Sequence, residues 1–315
     1  MGVSGPFVWS ERGVRTFPAS GGSPPRRAHH RELKQKLATL QKDYADLHTA
    51  LFEAAQVHRH LCAPRRVEYG DFEIASEVFA VRYMPGDFFA VEEAGGGLIL
   101  ALGDVCGKGL AAGMWTPCLV GLVRAHAAAA SEPHAIVSGV NREFCRMHAP
   151  LSSLFMARVN PAGGTLDYCS AGHPPALLLR AGGRLELLSD GGMLLGMTAD
   201  ASFSSGRVEL AAGDVLVAYS DGVVESRNEA DEEFGAERLE TQLRLARDGC
   251  ADAVLFSVLA AVQDFAAPRP LADDTSLAVV RLTPTPPRTE AHEPIKRDRS
   301  CEPVRLPAFV HPLPP

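Results

Sequence analysis

No apolar run in the 315 residues approaches the roughly 18 needed to span a bilayer, which excludes a helical membrane anchor within this sequence. The opening MGVSGPFVWSERGVR lacks a basic start followed by an apolar core, so no secretory signal is expected. Cysteines are present but unpaired in pattern: the seven, at 62, 106, 118, 145, 169, 250 and 301, contain no CxxC. That odd, scattered set argues against a disulfide framework or a zinc site and fits reduced thiols, so a cytoplasmic setting is expected. Positive charge is also short. A formal net charge of −7 argues against binding nucleic acid mainly through phosphates. What remains, 46% hydrophobic and 22% charged residues, describes a soluble chain long enough for one large domain plus extensions.

Composition divides the chain. Residues 1–28 are rich in Gly, Pro, Ser and Arg without an apolar period and are expected to be disordered, as is the Pro-rich tail 284–315. Over 29–63, Leu33, Leu37, Leu40, Tyr44, Leu47, Leu51, Ala54, His58 and Leu61 follow steps of four and three. Such a stripe fits either a helix packed on its own domain or a coiled coil; the spacing nearer 3.5 favours a homodimer helix over 30–62. From 64 to 283 the text changes to short strands, tight turns and paired helices. LILAL and VLVAY read as buried strands, and LFMARV with TLDYC, and ALLLR with RLELL, as hairpins. Helices are expected at about 109–130, bent or begun at Pro117, after Ser131 as cap, and at about 236–247 and 251–265. Hairpins and paired helices predict an α+β fold with largely antiparallel sheets and helices outside.

The stretch ALGDVCGKGLAAGM (101–114) resembles a nucleotide cradle but fails both templates. A Walker A loop needs four residues between its first glycine and Gly-Lys; here Gly103 and Gly107 are separated by three, and Gly109 sits where Ser or Thr should be. The pattern Gly107-x-Gly109-x-x-Ala112 fits a dinucleotide fingerprint only loosely, and βαβ repetition is missing downstream. Acids explain the loop better. Asp87, Asp104, Asp221 and the pair Asp273–Asp274 each flank a strong apolar strand beside glycine or a second acid. Any one alone is an ordinary turn residue. Together at one sheet edge they would repel one another, and a hard divalent cation with oxygen ligands, Mg²⁺ or Mn²⁺, would resolve that.

GDFF (86–89), GDVCGKGLAAGM (103–114), AGHPP (171–175), LLG (194–196), GDVLVAYSDGVVESRN (213–228), Phe234-Gly235 and DDTSLAVV (273–280) stand in an order that resembles the type-2C metal-dependent protein phosphatases. The bacterial branch typified by RsbU and stage II sporulation protein E is the most similar. The resemblance covers roughly 65–282 and implies a four-layer α-β-β-α sandwich, preceded here by the coiled-coil-like helix, with two divalent cations in a cleft between the sheets. It implies that Asp87 and Asp104 hold both metals and ready a bridging water, that Val105 offers its backbone carbonyl, and that Asp221, Asp273 and the neighbouring Asp274 hold the second side. Lys108 and Arg82 are candidate phosphate contacts, and His173 a candidate proton donor to the leaving alkoxide or a packed structural residue. The implied activity is hydrolysis of phosphoserine or phosphothreonine on a partner protein, a STAS-type anti-sigma factor antagonist in a partner-switching pathway. Three departures stand out: Ala90 where a second acid is usual, Pro85 where a glycine is common, and Ser276 where Thr is usual. The first two motivate an alternative, a non-catalytic binding module that keeps the fold.

Overall fold

The computed structural model describes residues 26–62, 66–130, 132–160, 164–283 and 296–297. The expectations for 1–25, for Ser131 as a cap and for most of the tail lie outside them. The chain divides into two units, Met1–Leu51 and Phe52–Pro315. Helix α1 (Arg26–Cys62) starts three residues before the expected 29. In the first unit its stripe residues Leu33, Leu37, Leu40, Tyr44 and Leu47 are all more than half exposed. In the second unit His58 and Cys62, one turn apart, are buried, and Arg59 reaches Glu77 at 2.6 Å. His58, placed in the exposed stripe by spacing, thus belongs to the packed core.

The second unit is built on antiparallel pairing. Strands β1 (Arg66–Tyr69), β2 (Phe72–Phe79), β3 (Asp87–Ala94) and β4 (Gly97–Val105) precede helices α2 (Leu110–Ala129) and α3 (Pro133–Arg146). Then come β5 (Ser152–Asn160), β6 (Thr165–Ala171), β7 (Ala176–Leu179), β8 (Leu185–Leu188), β9 (Gly191–Gly192), β10 (Gly206–Glu209) and β11 (Val215–Tyr219). The short α4 (Asp221–Val224), α5 (Gly235–Ala246), α6 (Ala251–Ala266), β12 (Thr275–Leu282) and β13 (Lys296–Arg297) complete it. One sheet runs β13-β1-β2-β12-β11-β7-β8; the other runs β10-β6-β5-β4-β3, with β9 added in parallel to β6. Inside the tail expected to be disordered, Lys296 and Arg297 pair with Glu68 and Val67.

Strand alternation sorts the apolar residues into three layers. Phe89, Leu100, Leu102, Phe155, Leu178, Leu216 and Val280 meet between the sheets. Phe88, Ala90, Ala101, Leu154 and Met156 face α2 and α3, while Leu177, Val217, Leu277 and Val279 face α5 and α6. This is the expected α-β-β-α sandwich. Ala90 therefore lies on the helix side of β3, away from the face that carries Asp87. Pro117 is not the start of α2 but sits within it. Having no N–H, it leaves the Gly113 carbonyl without its usual helical donor. That carbonyl faces the His58 ring and partly offsets the lowering of its pKa by burial. Helix α3 starts from Glu132 without a side-chain cap.

Candidate active site

Parity and register bring the predicted acids together. Asp87 and Asp104 are direct cross-strand partners at the ends of β3 and β4, both on the face between the sheets. Asp221 opens α4 immediately after β11, and Asp273 and Asp274 immediately precede β12. The β3–β4 pair belongs to one sheet and β11 and β12 to the other, so the acids gather at one end of the sandwich. Gly86 permits the closest approach: a Cβ there would lie 2.9 Å from Asp104 Oδ1 and 2.9 Å from the Val105 carbonyl. Its own carbonyl accepts from the Val105 amide at 3.2 Å and from the Thr116 hydroxyl at 3.2 Å, which ties the β2–β3 turn to α2.

The charges are under strain. Asp87 is 2% exposed and its Oδ2 has no hydrogen-bond partner among the described residues. Burial first, then the Asp104 charge, raises its pKa well above the ordinary carboxylate range, while the Ser220 and Ser276 hydroxyls oppose the rise. Asp104 is raised to about 6, by burial and then by Asp221, Asp273 and Asp274, with a hydrogen bond from Asp87 pulling the other way. Two carboxyl groups this close share a proton when no cation is present.

The remaining acids differ in their partners. Asp274 accepts from the Val81 amide (2.9 Å) and the Gly86 amide (2.9 Å), one on each carboxylate oxygen, and so clamps the turn that presents Asp87. Asp273, half exposed, pairs with Lys108 Nζ at 2.6 Å. Arg82 lies over the glycine loop, its Nη1 3.4 Å from where a Cβ of Gly109 would stand. Val105 is fully buried. Among the described residues no three His, Cys, Asp or Glu side chains stand ready-made around one point for a metal ion. The donor chemistry nonetheless fits a hard cation: every candidate ligand is an oxygen, neighbouring acids raise the pKa of Asp87 and of Asp104, and Asp87 Oδ2 is a buried acceptor without a donor among the described residues.

A cavity of about 440 Å³ opens beside the acids, lined by Asp104, Asp221, Cys106, Ser153, His173 and Leu194 among others. His173 is buried, and burial takes its pKa down to about 3, the Tyr219 backbone partly offsetting this. Burial thus favours the neutral ring and weighs toward the packed, structural reading of His173 over the proton donor. Its Nδ1 is 2.7 Å from the Ser153 hydroxyl, and Ser153 is the cross-strand partner of Asp104. Sequence reasoning missed Ser153, Ser220 and Cys106. A signal existed for the serines: each falls on the between-sheet parity of an apolar strand, where a hydroxyl needs a reason.

The sequence profile described as Stage II sporulation protein E (SpoIIE) matches residues 94–283, more than half of the chain. The chain belongs to the SpoIIE family. Phosphoserine phosphatase RsbU of Bacillus subtilis is 24% identical over 256 residues, 78% of this chain and 74% of RsbU. Protein IcfG of Synechocystis is 25% identical over 189 residues; the match takes in 50% of this chain and only 30% of IcfG. Among solved structures, the SiaA-PP2C domain of Pseudomonas aeruginosa aligns with a TM-score of 0.66 at 19% identity, covering 78% of this chain and 99% of that domain. RsbX in complex with magnesium aligns with a TM-score of 0.53 at 17% identity, covering 69% of this chain and 98% of RsbX. At those identities the structural likeness establishes the fold. In this SpoIIE-family chain the profile match begins after β3 has started, so Asp87 lies ahead of it.

Proposed function

We propose that this SpoIIE-family chain is a divalent-metal-dependent protein serine/threonine phosphatase. The observation that carries the reading is the cross-strand pair Asp87–Asp104, with Asp87 buried and Asp104 partly buried, set among further acids and, among the described residues, without an ion pair to a cationic side chain on either. The RsbU resemblance supports phosphoserine as substrate, and the magnesium reported in the RsbX structure supports Mg²⁺ or Mn²⁺. Asp87, Asp104, Asp221, Asp273 and the Val105 carbonyl are the groups that would hold two such ions. Bound divalent cations supply a hydroxide-like nucleophile from water at neutral pH and neutralise a phosphoryl group.

The chain's own residues do the rest. Asp274 fixes the Asp87 turn through two amides rather than serving as a free ligand. Gly107 and Gly109, at φ 122° and 72°, shape a loop on which backbone can approach a phosphate closely. Lys108 and Arg82 stand at its rim to receive phosphate oxygens. His173 orients the Ser153 hydroxyl beside Asp104, and the cavity has room for a water that would protonate the leaving alkoxide. The partner is read as a phosphorylated STAS-type anti-sigma factor antagonist. The exposed stripe from Leu33 to Leu47 supports a homodimer through α1, and replacing Leu37, Leu40 and Leu47 by Gln should leave a monomer in light scattering. The non-catalytic alternative loses its main motive, because Ala90 packs in the helix-facing layer and an acid there would not reach the cleft.

Hydrolysis of p-nitrophenyl phosphate and of a phosphoserine protein with Mn²⁺, abolished in Asp104→Asn, is the expected result. Wild-type protein that is inert with Mn²⁺ and Mg²⁺ on a verified phosphoprotein would refute the reading.

A further inference from the structure

Among the described residues, Lys108 and Asp273 form the one ion pair made by any of the clustered acids, Nζ to Oδ2 2.6 Å. The pair joins elements distant in sequence. Lys108 sits in the loop between β4 and α2, on one sheet, and Asp273 in the loop between α6 and β12, on the other. Nζ also lies 3.5 Å from the Ala272 carbonyl, so the lysine is laid along that loop. Its aim is set by its neighbours: Gly107 and Gly109 hold φ values of 122° and 72°, where L side chains are strained, and the Arg82 side chain closes in over Gly109. Asp274 is held by two amides, whereas Asp273 is half exposed: its Oδ1 accepts from the Asp274 amide at 3.0 Å, and its Oδ2 is held by the lysine and is exchangeable. Asp104 feels the charge of Asp273, which places that carboxylate within the field of the cluster.

We propose that Lys108 is a tethered counter-ion of Asp273 that a divalent cation must displace, so that this lysine sets the metal affinity on the Asp273 side of the cleft. The inference rests on the metal-dependent reading above. A compact ammonium carries one charge and a divalent cation two, so exchange on one carboxylate is favourable, yet it costs the existing pair. Once displaced, the ammonium is released at the rim of the glycine loop, where an incoming phosphate would meet it. Metal loading and readiness for substrate are then linked through a single side chain.

The test is calorimetric titration of Mn²⁺ into the full chain, as wild type, Lys108→Gln and Arg82→Gln. Lys108→Gln should bind Mn²⁺ more tightly by about three- to tenfold, with Arg82→Gln changed by about twofold or less. Unchanged or weaker binding by Lys108→Gln overturns the proposal, and so does an equal gain in Arg82→Gln, which would mark a general effect of net charge. If wild type and Lys108→Gln both fail to bind Mn²⁺, the metal-dependent reading fails first; binding by wild type without a gain in Lys108→Gln removes only the role of the lysine. A crystal structure with manganese provides a second readout. Asp273 should be turned to the ion and Lys108 Nζ withdrawn from it, and a retained pair with manganese bound overturns the proposal.

Discussion

Two charged clusters in the second unit make a useful contrast. Around the β7–β8 turn, Arg180 makes two bonds to Glu186, at 2.8 and 2.9 Å, and one to Asp214 at 2.9 Å. Asp214, 3% exposed, also accepts from the Ala181 amide at 2.8 Å and the Ala211 amide at 3.0 Å. The arginine holds Glu186 below the ordinary carboxylate range. At the other cluster Asp87 and Asp104 are raised, and their nearest charges are other acids. One cluster is internally complete, and its charges brace a turn. The other is incomplete by the same accounting, and that deficit of positive charge is what a cation site requires.

Substitutions should separate the two clusters. The largest effect is expected at the acids: Asp104→Asn should lower Mn²⁺-dependent phosphatase activity by at least about 10²-fold. The same variant should melt higher than wild type in EDTA, since a repelling charge is gone. Lower melting of Asp104→Asn than of wild type in EDTA would contradict the contrast. At the arginine the signs reverse. Arg180→Met should destabilise the chain by about 1–3 kcal/mol in urea unfolding, with kcat changed by about twofold or less.

The pH dependence sharpens the contrast further. Asp104 has a folded pKa of about 6, above the ordinary carboxylate value, so the folded chain holds a proton that the unfolded chain releases. Stability from this site is therefore present at low pH and is lost as pH rises to and through about 6. Glu186 behaves in the opposite sense, its contribution being lost in acid below its ordinary range. Between pH 5 and 7 the acid cluster should dominate. In EDTA, the unfolding free energy should fall by about 1–2 kcal/mol over that interval, and saturating Mn²⁺ should remove the slope. The smallest effect is expected beneath the site. Ser276→Ala removes a buried hydroxyl that stands near Asp87 and lowers its pKa without a hydrogen bond of good geometry, and should weaken Mn²⁺ binding by about tenfold or less, with little change in melting.

Local chemistry was readable from the sequence. The acids at strand ends, the glycines around Asp104 and the hairpin spacing are short-range patterns, and they sufficed for an antiparallel α+β fold with helices outside; the four-layer sandwich and the pairing of Asp87 with Asp104 followed from the order of the motifs and the family it resembles. What escaped was long-range. That Asp274 clamps Val81 and Gly86, across 193 and 188 residues, depends on where two loops meet. The same holds for Lys108, read as a phosphate contact but found on Asp273, and for His173, whose ring is neutralised by burial that no single strand reveals. Ala90 shows the converse. As a missing acid in a motif it raised doubt about the site, yet strand alternation turns it toward the helices. His58 fits the heptad rhythm but is buried, because rhythm along a helix does not say where the helix stops being free and starts being packed.

Calorimetric titration of Mn²⁺ into wild type and Asp104→Asn at pH 7 tests the central claim most directly. Wild type should bind, with Asp104→Asn weakened by about 10-fold or more. Equal affinity in the two proteins, or no heat from wild type at millimolar Mn²⁺, would contradict it.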